Sequence, residues 1–152
     1  MEKRKRMNKK AQNQISFGMI FSIILIIVFI AFAIYAIGIF LNTQKIAQVQ
    51  SFKNDLQTDI GDMFMSAGGE KEKEYFIPKN IEQVCFIDYE FYNMYFKPEG
   101  KYDGKELEHI DIENTIRDST SRPKELCIDT ENGKISLSIK KGYNEILVTI
   151  AK

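Results

Sequence analysis

A long uncharged stretch near the N-terminus constrains this chain more than any other feature. No residue from 11 to 44 is charged, and residues 15–41 are apolar except for two serines, one tyrosine and two glycines. As a helix, at about 1.5 Å per residue, this run would be roughly 40 Å long and would exceed the bilayer's hydrocarbon thickness of about 30 Å. Its helical wheel has no polar side. We therefore predict a transmembrane helix over residues 15–41.

Charge is distributed unevenly on the two sides of this run. The first ten residues carry six basic side chains and one acidic one, whereas residues 45–152 carry 15 basic and 20 acidic ones. Because Lys and Arg are enriched on the cytoplasmic side of membrane helices, we expect residues 1–14 to be a cytoplasmic tail or signal. The C-terminal part should then be extracytoplasmic. Its acidic balance argues against a nucleic-acid surface, and the predicted partner of the apolar run is the lipid bilayer.

A cleavable secretory signal is the alternative interpretation of the same segment. The apolar region of such a signal is only about 7–15 residues long. The one Ala-x-Ala sequence, Ala31-Phe32-Ala33, is followed by further apolar residues. The length of the run therefore favours a membrane helix over a removable signal.

A second helical pattern follows the apolar run. Apolar residues recur at steps of three and four from Ile46 to Phe64, with charged residues between them, and no Pro or Gly interrupts residues 39–60. We predict an amphipathic helix over residues 42–67 that continues the membrane helix. Two glycines, Gly68 and Gly69, should end it, and the charged residues 70–74 are interpreted as a solvated linker.

The remaining sequence, residues 73–152, is predicted to form a small β-rich head domain. Asn132-Gly133 suits a tight hairpin, because both positions tolerate positive φ. On either side of it and beyond, three segments read as strands and are predicted to form an antiparallel meander: residues 125–129, 134–140 and 145–151. The fold class is thus α+β, a long N-terminal helix, transmembrane and then amphipathic, followed by a small antiparallel β-sheet head.

The earlier part of the head gives weaker signals. Strands are expected at residues 75–77, 81–88 and 91–96 because β-branched and aromatic residues are enriched there. Residues 107–117 fit either a helix or a short strand, since their isoleucines suit both periods.

Two cysteines lie in the predicted strands. Cysteine pairs outside the cell are more often bonded than free, so we predict a disulfide between Cys85 and Cys127, with two buried thiols as the alternative. Together with the single His109, they are too few for a structural zinc site of four ligands. No nucleophile, acid and base occur at a recognisable spacing. The sequence therefore predicts no catalytic residue, metal, cofactor or small-molecule substrate.

An aromatic-rich segment precedes the third expected strand. Aromatic residues are enriched at protein interfaces, so four of them are candidate partner contacts: Tyr89, Phe91, Tyr92 and Tyr95. Packing in the core and at its rim is the alternative for residues at strand spacing.

The sequence Lys9-Lys10-Ala11-Gln12, followed shortly by the apolar run, resembles the class III signal region of archaeal type IV pilin-like proteins. In that family a basic tail ends at a Lys/Arg-Gly/Ala pair, and a membrane aspartyl peptidase cuts before the next residue. The resemblance implies a cut between Ala11 and Gln12. It also implies that the freed apolar helix packs with other subunits in a filament core while a β-rich head faces outward.

Two functions remain open on this sequence. The first is a pilin-like subunit of a cell-surface or secretion-type filament, associating with itself or with other pilin-like subunits through the N-terminal helix. The second is an uncleaved single-pass membrane protein whose ectodomain binds a partner. The family usually carries Glu as the fifth residue after the cut, and this chain has Ser16 there. The mass of the mature chain distinguishes the two hypotheses.

Overall fold

The computed structural model describes residues 17–117, 119 and 124–151. One long helix, α1 (Phe17–Met65), precedes the strands, and the chain divides into two compact units, Met1–Leu41 and Asn42–Lys152. The predicted α+β class is confirmed. The head differs from the prediction in having two small antiparallel sheets rather than one.

The described part of the first unit is the apolar half of α1. None of residues 17–41 is buried, and the helix is long and apolar enough to cross a membrane. Ser22 Oγ donates to the carbonyl of Gly18 at 2.8 Å, so this hydroxyl is satisfied within the helix. The predicted tail, residues 1–14, and the predicted processing site at Ala11 and Gln12 lie outside the described residues.

The second unit contains the remainder of α1 and two three-stranded sheets. The first sheet has the order β1-β5-β6 and the second has the order β3-β2-β4. The elements are β1 (Gly69–Phe76), β2 (Gln83–Ile87), β3 (Met94–Lys97), α2 (Ile112–Thr115), β4 (Glu125–Asp129), β5 (Lys134–Lys141) and β6 (Thr149–Ala151). Every pair of neighbouring strands is antiparallel.

One face of α1 beyond Leu41 is buried in the head. The apolar residues on this face are Val49, Phe52, Leu56, Ile60 and Met63. The Phe52 ring meets Tyr75 of β1 at 5.6 Å and Phe96 of β3 at 6.1 Å, edge to face in both cases. The helix therefore packs against both sheets, as its amphipathic pattern predicts, and it ends two residues before the predicted end.

The C-terminal end of α1 is held by a lysine of β5. Lys141 Nζ donates to the carbonyl oxygens of Phe64 and, at 2.9 Å, Ser66. These carbonyls have no partner within the helix, and a cation there also offsets the negative end of the helix dipole. The helix terminus is thus tied to the first sheet.

The charged residues 70–74 form part of β1, so the linker prediction is wrong. Alternation of Glu and Lys is the two-residue period of a strand and gives its two faces opposite charge. Lys71 and Lys73 face α1, whereas Glu70 pairs with Lys140 at 2.9 Å and Glu74 with Lys134 at 2.7 Å across to β5. Cross-strand ion pairs of this kind favour a sheet over a solvated coil.

The predicted meander of the last three strands is wrong for its first pair and confirmed for its second. The tight turn forms, with φ of 54° at Asn132 and 81° at Gly133, but β4 pairs with β2 while β5 pairs with β1 and β6. The expected strand at 145–151 shortens to β6, and Ile146 is 77% exposed. In the ambiguous segment 107–117, the structure has the short helix α2, capped by Asp111.

Alanine substitutions at two glycines are expected to change the stability of the head in opposite directions. A Cβ at Gly61, within α1, would meet no atom within 4 Å, so Gly61→Ala should stabilise the head by about 0.5–1 kcal/mol through helix propensity. At Gly104 a Cβ would lie 2.7 Å from Cγ of Tyr92 and 2.9 Å from the carbonyl oxygen of Met94. Gly104→Ala should therefore destabilise it by about 1–3 kcal/mol.

Thermal unfolding of the full chain in detergent, followed by the tyrosine near-UV circular dichroism, measures both changes. Equal effects of the two substitutions would contradict the prediction.

Candidate functional site

The second sheet has one face in the core and one face turned outward. Residues 84, 86, 94, 96 and 128 are buried beneath α1 and the first sheet. On the opposite face, Cys85 of β2 lies directly across from Tyr95 of β3 on one side and from Cys127 of β4 on the other. The two Sγ atoms are 2.04 Å apart and form a disulfide. The predicted cysteine pair is confirmed.

A polar contact crosses the sheet beside this disulfide. The Tyr95 hydroxyl donates to Glu125 of β4, and Lys97 Nζ lies 2.9 Å from the other carboxylate oxygen. Because β3 and β4 flank β2, the contact passes over the middle strand on the face that carries the disulfide. Cys85 is accordingly completely buried.

The protonation states at this contact follow from its environment. Burial and the bond to Glu125 raise the pKa of Tyr95. Burial alone would raise the pKa of Glu125, but the bonds from Tyr95 and Lys97 lower it below its ordinary value. At neutral pH the phenol is therefore a neutral donor and the carboxylate a charged acceptor.

Four aromatic rings form a continuous row next to the disulfide. Ring centroids are 6.1 Å apart for Tyr89 and Phe91, 5.0 Å for Tyr89 and Tyr92, and 6.0 Å for Tyr92 and Tyr95. Phe91 is 72% exposed and Tyr89 is 55% exposed. We call these four residues the aromatic strip. The structure brings together the four predicted partner contacts, and their role in binding stays a prediction.

A surface cavity of about 230 Å³ adjoins the aromatic strip. It shares two tyrosines with the strip and extends over the loop that follows β3. We call it the tyrosine pocket, and its lining residues are Tyr92, Tyr95, Phe96, Glu99, Gly100, Tyr102, Asp103 and Gly104. Close approach of the loop to the Tyr92 ring explains why position 104 has no side chain.

A buried aspartate connects α1 to β1, and the sequence reasoning missed it. Asp59 is 4% exposed and accepts from Lys71 and Lys73 at 2.6 Å each and from the Tyr75 hydroxyl at 2.7 Å. We call these four residues the Asp59 cluster. The available signal was the Lys-x-Lys-x-Tyr spacing, which places three donors on one face of a strand.

Electrostatics hold the Asp59 cluster in its ionised form. Burial alone would raise the pKa of Asp59, but the bonds from the two lysines and Tyr75 lower it. The bond to Asp59 raises the pKa of Lys71, and burial together with the same carboxylate raises that of Tyr75. The cluster fastens the helix to the sheet.

The remaining candidates for chemistry are His109 and one group of possible metal ligands. The His109 ring stacks on Phe64 at 4.0 Å and lies on a partly exposed turn, with φ of 66°. Within the described residues, the one group of possible metal ligands is Cys85, Glu125 and Cys127, whose ligand atoms lie within 4.8 Å of one another. Both sulfurs are used in the disulfide, so this group offers a single carboxylate.

Comparison of the chain with models of protein families, with curated proteins and with solved structures finds no match. No function is therefore transferred from a relative, and the resemblance of residues 9–12 to a pilin-type signal stays a prediction. Function has to be inferred from the two halves of α1 and from the outer face of the second sheet.

Proposed function

We propose that this protein is a membrane-anchored surface protein, a pilin-like subunit of a cell-surface or secretion-type filament. Its apolar half-helix would lie across the bilayer before assembly and beside the same helix of neighbouring subunits after it. The observation that carries the proposal is the contrast within α1. Residues 17–41 are apolar and unburied, whereas residues 42–65 bury one face in the head.

The energetics of the apolar half support an environment other than water. Most of its large side chains are half exposed or more, including Phe17, Phe21, Phe29, Phe32 and Phe40. At about 25 cal/mol per Å² of apolar surface, leaving such a helix in water is very unfavourable, and monomeric soluble proteins rarely expose patches of this size. Lipid tails or neighbouring helices remove that cost.

The charge pattern supports the orientation we propose. The six basic residues of the first ten precede the apolar run, and the head carries an excess of acidic residues. The tail would remain in the cytoplasm and the head would lie outside. A disulfide in the head agrees with an oxidising compartment.

Mass spectrometry of the protein extracted from its own membranes tests the proposal. We expect the chain in the membrane fraction, with residues 1–11 removed, and we expect protease added to whole cells to digest the head. Replacing Lys10 and Ala11 by leucine should leave the tail in place. A full-length chain that stays soluble without detergent would contradict the anchor and the filament alike.

The aromatic strip favours a second candidate function, an uncleaved anchor whose head binds a partner protein. Exposed, clustered aromatic side chains are typical of binding surfaces. An intact N-terminus in the membrane fraction would favour this function over the first. Exposed Phe91 is the residue to replace, and Phe91→Ser should weaken partner capture without lowering the thermal stability of the head. Retention of full capture would argue against the strip.

A further inference from the structure

We propose that the tyrosine pocket binds an arginine side chain of a partner protein, with the aromatic strip contacting the residues beside that arginine. This inference rests on the second candidate function, in that it assumes a partner for the head. It does not depend on whether the basic tail is removed.

The lining of the pocket restricts the chemistry of its ligand. Aromatic rings, two carboxylates and two glycines form the lining, and no basic or aliphatic side chain belongs to it. Rings offer the negative face of their π system to a cation, and carboxylates accept hydrogen bonds but cannot donate them. A ligand that matches both must be flat or compact, positively charged and rich in donors.

Two of the three tyrosine hydroxyls in the pocket are already engaged. Tyr95 donates to Glu125, and the Tyr102 hydroxyl lies 3.0 Å from Nδ2 and 3.2 Å from Oδ1 of Asn80. These bonds fix the two rings in place before any ligand arrives. Rings that are held in place before binding lose little conformational entropy when a ligand binds.

Two carboxylates at the pocket have acceptor capacity to spare. The side chains of Glu99 and Asp103 have no hydrogen bond or ion pair within the part of the chain that the structure describes. Lys53 donates from Nζ to the Asp103 carbonyl at 2.6 Å, and its charge also attracts the Asp103 carboxylate, so Glu99 is the less compensated of the two.

Lysines of the head already lie over two of the rings. Lys97 Nζ lies 5.8 Å from the centroid of Tyr95, and Lys53 Nζ lies 5.5 Å from that of Phe96. Lys97 is neutralised by Glu125. Tyr92 and Tyr102 have no such cation among the described residues, so a ligand cation would meet no internal competitor at these two rings.

Arginine fits this arrangement better than the other candidates. Its guanidinium is planar, stacks on aromatic faces and directs five donors in its own plane, which suits carboxylates at the rim of a stacking surface. A lysine ammonium would reach one carboxylate but would not stack. A neutral ligand such as a sugar would leave the charge of Glu99 unmatched.

A pair of peptides provides the test. The full chain in detergent micelles, with ¹³C-labelled tyrosine rings, is titrated with acetyl-Gly-Arg-Gly-amide and with the same peptide carrying citrulline, the neutral isostere of arginine. We expect saturable shifts at Tyr92 and Tyr102 with Kd of order 1 mM, and at least about tenfold weaker binding of the citrulline peptide.

Substitutions locate the site. Glu99→Gln should weaken arginine binding about three- to tenfold, and Tyr92→Leu about threefold. Glu106→Gln, in an exposed residue of the same loop that does not line the pocket, is the matched control and should change nothing. Because Glu99 is exposed, its substitution leaves the fold intact, and a loss of binding there reports on the site.

Three results would overturn the proposal: no saturation at about 20 mM peptide, equal binding of arginine and citrulline, or an unchanged Kd in Glu99→Gln. Each of them leaves the membrane fraction and the N-terminal mass as they were. Failure of the pocket is thus distinguishable from failure of the proposed function.

Discussion

A double variant with Cys85→Ala and Cys127→Ser is expected to unfold about 15 °C below the unaltered protein. The disulfide closes a loop with a sequence separation of 42 residues. In the chain-entropy model, releasing a loop of this length increases the entropy of the unfolded state and costs about 4 kcal/mol of stability. Alanine at position 85 suits its buried site, and serine at 127 suits a half-buried one.

Thermal unfolding of the full chain in detergent, with and without a dithiol reductant, measures this effect. Direct reduction of the folded protein should be slow, because Cys85 is completely buried. The reductant should have no effect on the double variant, which serves as the control. Equal melting of the two proteins, together with two titratable thiols before reduction, would exclude the disulfide in solution.

The second large effect is expected at the Asp59 cluster. Asp59→Asn removes the charge that two lysine ammonium groups and one phenol share, and it places an amide donor against them. A hydrogen bond to a charged group contributes about 1.5–3 kcal/mol, so we expect a loss of about 2 kcal/mol and a melting temperature lower by about 8 °C. The two lysines are partly exposed and regain water, which limits the loss.

The pH dependence identifies the cause of this loss. Because the folded pKa of Asp59 lies below its ordinary value of 3.8, its contribution is present above about pH 4 and disappears as the pH falls through the lowered pKa. The difference in unfolding free energy between the unaltered protein and Asp59→Asn should therefore be constant at neutral pH and should close in acid.

At alkaline pH the contribution of the Asp59 cluster to stability depends on two of its hydrogen-bond donors, Lys71 and Tyr75. The pKa values of Lys71 and Tyr75 are raised by folding, so their contribution is complete below the ordinary values of 10.5 and 10.0 and is lost as the pH rises through the folded values. Glu72→Gln, an exposed change on the opposite face of β1, is the matched control and should have little effect at any pH. A difference between the variants that does not change with pH would contradict the ionic account.

Much of the fold could be predicted from local sequence patterns. The apolar run and the three-and-four spacing after it predicted α1 and its buried face, because helix burial follows a short period in sequence. The disulfide was predicted from the oxidising compartment expected for the head, and not from a distance between the two cysteines. The Asn132-Gly133 turn was also predictable, because positive φ at both residues is a local property.

The misassigned features depend on contacts between distant residues. Residues 70–74 are polar enough for a linker, and they become a strand because β5 offers partners for their glutamates and α1 offers Asp59 for their lysines. With β1 overlooked, β4 was taken as the second neighbour of β5 beside the last strand, so a meander was inferred. The structure separates them, because β4 is held to β2 by the disulfide.

The candidate binding surface was predictable only in part. The aromatic strip comes from seven consecutive positions, 89–95, so composition alone revealed it. The tyrosine pocket also needs Glu99, Tyr102 and Asp103, which a loop brings back over the strip. That loop contains Gly104, whose close approach to Tyr92 depends on the fold of the loop and has no local sequence signal.

The pairing of β1 with β5 also sets the order in which the protein can be made. Its register joins Gly69 to Lys141 and Phe76 to Lys134, and within the described residues β5 is the one strand paired with β1. During synthesis β1 therefore cannot form its hydrogen-bonded ladder until residues 134–141 have been made, and such non-local pairings fold slowly. The first sheet of the head therefore forms only after β5 has been synthesised, when the apolar turns of α1 have long left the ribosome.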